Sequence, residues 1–158
     1  DTFNIPIVSL VDEPGFLIGP EAEKEGTILH GTQAVLACTE STVPWTTVMI
    51  RKSFGVAAAA HYGPDGYVLA WPSSESGPLP LEGGVAVAFK KEIAAAKDPE
   101  AKRKELENKM AKNQNPFPRA EAFSVHEIID PRETRKYISL WAERIQHQLR
   151  ASLIKRDS

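Results

Sequence analysis

One cysteine, two methionines and no apolar run approaching the roughly 20 residues that cross a bilayer leave this 158-residue sequence short of several familiar devices. The lone thiol, Cys38, excludes an internal disulfide and any zinc site built on several cysteines; set in an apolar helical run, it reads as buried and inert. Charge of one sign is missing too. Nineteen Lys and Arg against 21 Asp and Glu leave a net charge of −2, with no field to draw nucleic acid or anionic lipid. Asp1-Thr2-Phe3-Asn4 has neither the basic nor the apolar region of a secretory leader. The expectation is a soluble intracellular protein, or a piece of one, cytoplasmic or in the mitochondrial matrix if the source is eukaryotic.

What is present is ordinary globular material: 42% apolar and 25% charged residues. A chain of this size buries roughly two-thirds of its unfolded surface, so residues 1–158 are expected to form a single domain. Ile5–Val11 is a continuous apolar run stopped by Asp12-Glu13-Pro14-Gly15, which predicts a buried strand ending in a turn. Gly19-Pro20 opens a helix with Glu21, Glu23 and Glu25 near its positive end and Leu29, Thr32, Leu36 and Thr39 along one face. Trp45–Ile50 predicts a second strand running through Arg51–Gly55 into the alanine helix from Val56, and Tyr67–Trp71 a third stopped by Pro72. A helix is expected from Glu82 to about Lys97, and a charged one, capped by Asp98-Pro99, through Lys112 as a solvated arm. Val125–Ile129 predicts a short strand, Asp130-Pro131 caps the last helix, and Ile138, Trp141, Ile145 and Leu149 form its apolar stripe. Strands alternating with helices predict an α/β fold.

For chemistry, the turn Gly55-Val56-Ala57 stands out. Glycine permits a sharp bend, the following residues lack bulk, and backbone N–H groups at a helix start point outward, which can build an oxyanion hole without a side chain. The competing reading is close packing alone. His30 and His61 have no third ligand at metal spacing and read as surface and turn residues, so no metal site is expected. Asp12 and Glu13 read as turn carboxylates before Pro14-Gly15 rather than an acid pair, and Trp71 as a packing residue. Neither a Ser–His nor a Cys–His constellation stands out, and Lys109-Met110 lacks the Met-Lys-Met context of a biotinylated lysine.

Several words recur in order. Val11-Asp12-Glu13-Pro14-Gly15-Phe16-Leu17-Ile18-Gly19 resembles the V-D-x-P-G-F-x-x-G segment of the β subunits of biotin-dependent acyl-CoA carboxylases. Val43-Pro44 and Ile50-Arg51-Lys52-Ser53-Phe54-Gly55 resemble their T-V-P and R-K-x-[FY]-G-G-A. Ala70-Trp71-Pro72, Glu82-Gly83-Gly84-Val85 and Ile128-Ile129-Asp130-Pro131-Arg132-Glu133-Thr134-Arg135 match A-W-P, [EK]-G-A-V and I-D-P-x-x-T-R. The resemblance implies a crotonase-type spiral of ββα units with flanking helices, here the C-terminal, carboxybiotin-binding half, without the N-terminal half that holds acyl-CoA. It implies a backbone oxyanion hole at Gly55, Val56 and Ala57 for the ureido oxygen of biotin, no side-chain general base, and substrate contacts at Pro14, Gly15, Phe16, Ala58 and Ala59. It implies biotin borne on a separate carrier, with the N-terminal half, a second β subunit, biotin carboxylase and acyl-CoA as partners.

Three departures accompany the resemblance. Val56 replaces the family's second glycine, Ala58-Ala59 a more polar pair, and Ser76-Gly77-Pro78-Leu79-Pro80 an apolar I-A-V-M-G loop. A backbone donor survives Gly→Val where φ stays negative, and not where the turn needs a left-handed residue. The expectation is a carboxyltransferase half-site, inactive alone. The alternatives are the carboxyltransferase subunit of a biotin-dependent decarboxylase, or an inactive interaction module of the same fold.

Overall fold

The computed structural model describes residues 1–64 and 66–156. The strands described form one parallel sheet around β2 (Trp45–Phe54). Along one edge β2 pairs with β1 (Ile7–Glu13). Along the other it pairs first with β3 (Tyr67–Ala70) and then, beyond Met49, with β4 (Glu75–Gly77). β5 (Glu127–Ile128) extends β3 outward. Alternation along β2 and β3 sends Met49, Val68 and Ala70 to one face, where Val125 and Tyr62 meet them, and Val48 and Leu69 to the other, against Ile129, Tyr137 and Ile138. Val48, Met49 and Leu69 are fully buried, each contributing about 1.5–3 kcal/mol of hydrophobic free energy.

Helices α1 (Pro20–Lys24) and α2 (Thr27–Thr39) connect β1 to β2, and α3 (Gly55–Ala59) follows β2 directly. After β4 come α4 (Leu81–Ala88), α5 (Lys90–Ala95), α6 (Pro99–Ala111) and α7 (Pro116–Glu121). A 3₁₀ turn at Pro131–Glu133 leads into α8 (Thr134–Arg144) and α9 (Gln146–Arg156). The predicted caps form: Asp98 accepts from the Ala101 N–H and Asp130 from the Arg132 N–H.

Four expectations change. β1 is an edge strand with one covered face: Val11 is fully buried, but Val8 and Leu10 are 40% and 57% exposed. The helix opened by Gly19-Pro20 breaks at Gly26, whose φ of 72° is left-handed, and the Leu29 and Leu36 face of α2 points to solvent. Gly31 decides that orientation. A Cβ there would lie 2.2 Å from the Phe16 ring, so the ring beds on the helix at its glycine and turns Gly31 and Cys38 inward. The helix expected from Glu82 divides at Phe89. The last divides at Ile145, yet its stripe holds, with Trp141 and Ile145 buried. β4, within a Ser/Gly/Pro-rich stretch, had no strand-like pattern to announce it.

Candidate active site

In a parallel sheet all carboxyl ends of the strands lie along one edge, where α/β proteins place their sites. Here that edge gathers the sequence words. β1 ends in Asp12–Gly15, β2 in Arg51–Gly55, β3 runs into Trp71-Pro72 and β5 into Asp130-Pro131. Side chains tie them together. Arg51 grips the Asp12 carboxylate through Nε at 2.9 and 3.0 Å and through a terminal nitrogen at 2.9 Å, while the Lys52 N–H donates to it at 3.2 Å. The register of β1 against β2 shifts at this point, so Asp12 braces the place where β2 leaves β3 for β4. The Arg51 hydrogen bond holds the Asp12 carboxyl below its usual range. The pair is exposed, so its worth is about 1 kcal/mol or less. Trp71 Nε1 donates to Thr134 Oγ1 at 2.9 Å, joining the words around Trp71 and Asp130; Trp71 packs, as expected.

At the end of β2 the chain turns sharply. Gly55 has φ 63°, and a Cβ there would meet the Pro78 carbonyl oxygen at 3.6 Å. The left-handed residue is Gly55 and not Val56, so valine stands in the turn without backbone strain. The first amides of α3 have no intrahelical acceptor, and Phe54 at the N-cap offers no side chain. Val56 is 66% exposed, Ala57 is buried, and small residues bring α3 against β1, β2 and α2. Of the next pair, Ala58 is buried and Ala59 presents a surface.

The remaining candidates lie on the neighbouring loop. Pro14 is exposed, Gly15 has φ 125° with open space around it and donates its N–H to Glu13 Oε1 at 2.9 Å, and Phe16 packs on Gly31. A cavity of about 540 Å³ opens at the same sheet edge, lined by Ile50, Arg51, Lys52, Trp71, Ser73 and Glu75; Gly55, Val56 and Ala57 are not among its lining residues. A second, of about 350 Å³, lies at the opposite end of the sheet, among Pro44, Trp45, Trp141 and Ile145.

One contact was not legible in sequence. Ser9 Oγ and His61 Nδ1 lie 3.2 Å apart, joining β1 to the segment after α3. Among the described residues nothing orients the other ring nitrogen, and the His61 carbonyl accepts from Trp45 Nε1 and Thr47 Oγ1, so the contact is a packing tie and not a nucleophile with its base. Cys38 donates to the Tyr62 carbonyl, and burial pushes its thiol pKa up, which keeps it inert. Among the described residues no three His, Cys, Asp or Glu side chains gather as a metal site, and no helix is long and apolar enough to cross a membrane.

Comparison with known proteins identifies the family and the fold. The family described as "Carboxyl transferase domain" matches residues 1–157. The 12S subunit of methylmalonyl-CoA carboxyltransferase from Propionibacterium freudenreichii subsp. shermanii is 43% identical over 143 residues, covering 88% of this chain and 27% of that protein. Methylmalonyl-CoA decarboxylase subunit alpha of Propionigenium modestum is 39% identical, covering 87% of this chain and 28% of that protein. The crystal structure of the transcarboxylase 12S hexamer with methylmalonyl-coenzyme A superposes with a TM-score of 0.78 at 41% identity, over 90% of this chain and 28% of that one. The α/β crotonase-type fold expected from the sequence words is therefore the fold observed. The chain spans about a quarter of the length of the relatives it matches.

Proposed function

Because the chain belongs to the carboxyl transferase domain family, we propose that it is the C-terminal, biotin-binding half of a biotin-dependent acyl-CoA carboxyltransferase. What supports this reading is the convergence of the family's words on one sheet edge around a glycine turn whose first helical amides have neither an intrahelical acceptor nor a side-chain cap. A ureido oxygen is a carbonyl acceptor, and a left-handed Gly55 followed by two N–H groups without intrahelical partners is a donor arrangement that suits it. Biotin, borne on a separate carrier, supplies the carboxyl group when bound. The chain's own part is to position and polarise. The amides of Val56 and Ala57 donate to the oxygen, Phe54 at the N-cap brings no side chain to compete for them, and the Asp12–Arg51 pair keeps the end of β2 in place. Each such donor contributes about 3–4 kcal/mol where charge develops. Pro14, Gly15, Phe16, Ala58 and Ala59 border the acyl side of the site, with Ala59 offering the exposed surface of its pair.

The turn is open to solvent, which suits a site whose far wall comes from another polypeptide: the acyl-CoA-binding half, in a second β subunit, within an assembly that includes biotin carboxylase and works in the cytoplasm, or in the mitochondrial matrix if the source is eukaryotic. The 39% identity to a methylmalonyl-CoA decarboxylase subunit favours a second reading, in which the same site takes a carboxyl group from the acyl-CoA instead of delivering one.

The test is reconstitution. The 158-residue chain alone is expected to transfer no carboxyl group between a carboxylated biotin carrier and propionyl-CoA, and to do so once joined to an acyl-CoA-binding half. Robust transfer by the chain alone, or none in the assembled protein, would overturn the proposal; net decarboxylation of methylmalonyl-CoA would select the second reading.

A further inference from the structure

A hydrogen bond joins the two sides of the Gly55 turn. Ser53 Oγ and the Tyr62 hydroxyl lie 2.7 Å apart, one donating to the other. Ser53 precedes Gly55 at the end of β2 and Tyr62 follows α3, so the contact closes the chain on itself around the turn. Its two ends differ in kind. Ser53 is already fixed: it is buried and lies in the sheet between β1 and β4, opposite Glu13 on one side and Ser76 on the other. Tyr62 is the end that needs fixing, because a helix of five residues does not hold its own orientation. Its ring packs against Met49, Val68, Ala70 and Val125, and its carbonyl accepts from Cys38 Sγ at 2.8 Å. The neighbouring His61 carbonyl is bound from the start of β2, by Trp45 and Thr47. The Tyr62 hydroxyl supplies the tie at the other end of that strand, where the chain enters the turn.

We infer that Tyr62 is a positioning residue for the Gly55–Ala57 turn: its hydroxyl, bonded to Ser53, fixes the exit of α3 against the end of β2 and so sets where the Val56 and Ala57 amides point. The inference rests on the reading that those amides polarise biotin, and adds the residue that aims them. Aim matters here, since an N–H···O bond weakens steeply as it bends and a misplacement of about 1 Å can cost about 100-fold in rate. Ser53 stands at the position that the R-K-x-[FY] word leaves open, so the word itself does not announce the tie.

Removing the bond from each side, and then from both, separates aiming from mere stability. Tyr62→Phe keeps the packed ring and Ser53→Ala removes the other hydroxyl; either alone strands a polar group, and Tm of the chain is expected to fall by about 2–6 °C. The double variant strands neither, so its Tm should return toward the parent. In the enzyme assembled with an acyl-CoA-binding half, kcat is expected to be about 10-fold lower in all three variants, the double included, with KM for propionyl-CoA unchanged. A bond that only stabilised the fold would let kcat recover with Tm. The chain alone gives a readout independent of the reaction. The Ala60 and His61 amides close the last turn onto Ala57 and Ala58, and their hydrogen exchange should be about 10-fold or more faster in the double variant. An assembled parent that transfers no carboxyl group overturns the function proposed above and leaves exchange to decide the tie. Parental exchange in the double variant, or a kcat that follows Tm across the three variants, overturns the inference.

Discussion

At Ala57 the buried methyl packs and the backbone N–H carries the proposed chemistry, so substitutions that keep the amide and those that delete it should part company. Ala57→Pro removes one donor and, in the complete enzyme, is expected to lower kcat by about 100-fold or more. Val56→Gly keeps both amides and should retain activity, since the left-handed position of the turn is Gly55. Circular dichroism of both variants separates a lost donor from a lost fold; an Ala57→Pro enzyme that folds and turns over normally would make these amides packing groups. Tyr67 offers a second test. Burial, followed by its hydrogen bond to Glu127, pushes its phenol up to about 12. The folded pKa is raised, so the stability it contributes is complete below the unfolded value near 10 and is lost as pH rises through about 12. An ultraviolet pH titration should show a late phase that Tyr67→Phe deletes. If the late phase survives, another tyrosine carries it.

Among the elements, α8 and the residue after it dock through Ile138, Trp141 and Ile145, with Leu149 half-buried beyond them, and Trp141 is the largest of the four. Trp141→Ala should cost on the order of 3 kcal/mol or more, read as a lowered midpoint in denaturant; an unchanged midpoint would put the stripe outside the core. This stripe was legible in sequence because helical period and burial coincide there. So were the caps at Asp98 and Asp130 and the turn at Gly55, each set by residue types whose local bonds decide the backbone. The outward face of α2 was not. Leu29 and Leu36 have the spacing of a core face, but periodicity says only that a face is apolar, while the fit of the Phe16 ring on Gly31 chooses which face turns in. β4 was invisible for another reason: its three residues are held by pairing with Lys52–Phe54 and by Gln114, contacts far away in sequence. The Ser9–His61 tie escaped likewise, since the two residues meet only after β1 and the loop beyond α3 are in place.

For the whole molecule, the apolar residues left outside are informative. Leu17 and Ile18 precede α1, Ile28, Leu29 and Leu36 lie on α2, and all five are more than half exposed. Exposed apolar surface on this scale marks association, so the isolated chain should self-associate in sedimentation at micromolar concentration. A clean monomer stable to dilution would count against a half-site built to meet another polypeptide. The sheet itself has a consequence in time. Every pairing it makes is parallel, and no two partner strands are joined by a hairpin. Contacts of this kind close long loops before they are rewarded, which places such folds among the slower mixed α/β folders. During synthesis β1 leaves the ribosome before β2, the strand it pairs with, so its apolar residues wait unpaired until β2 has followed, and a chaperone that shields Ile7–Val11 in that interval would protect the nascent chain from association.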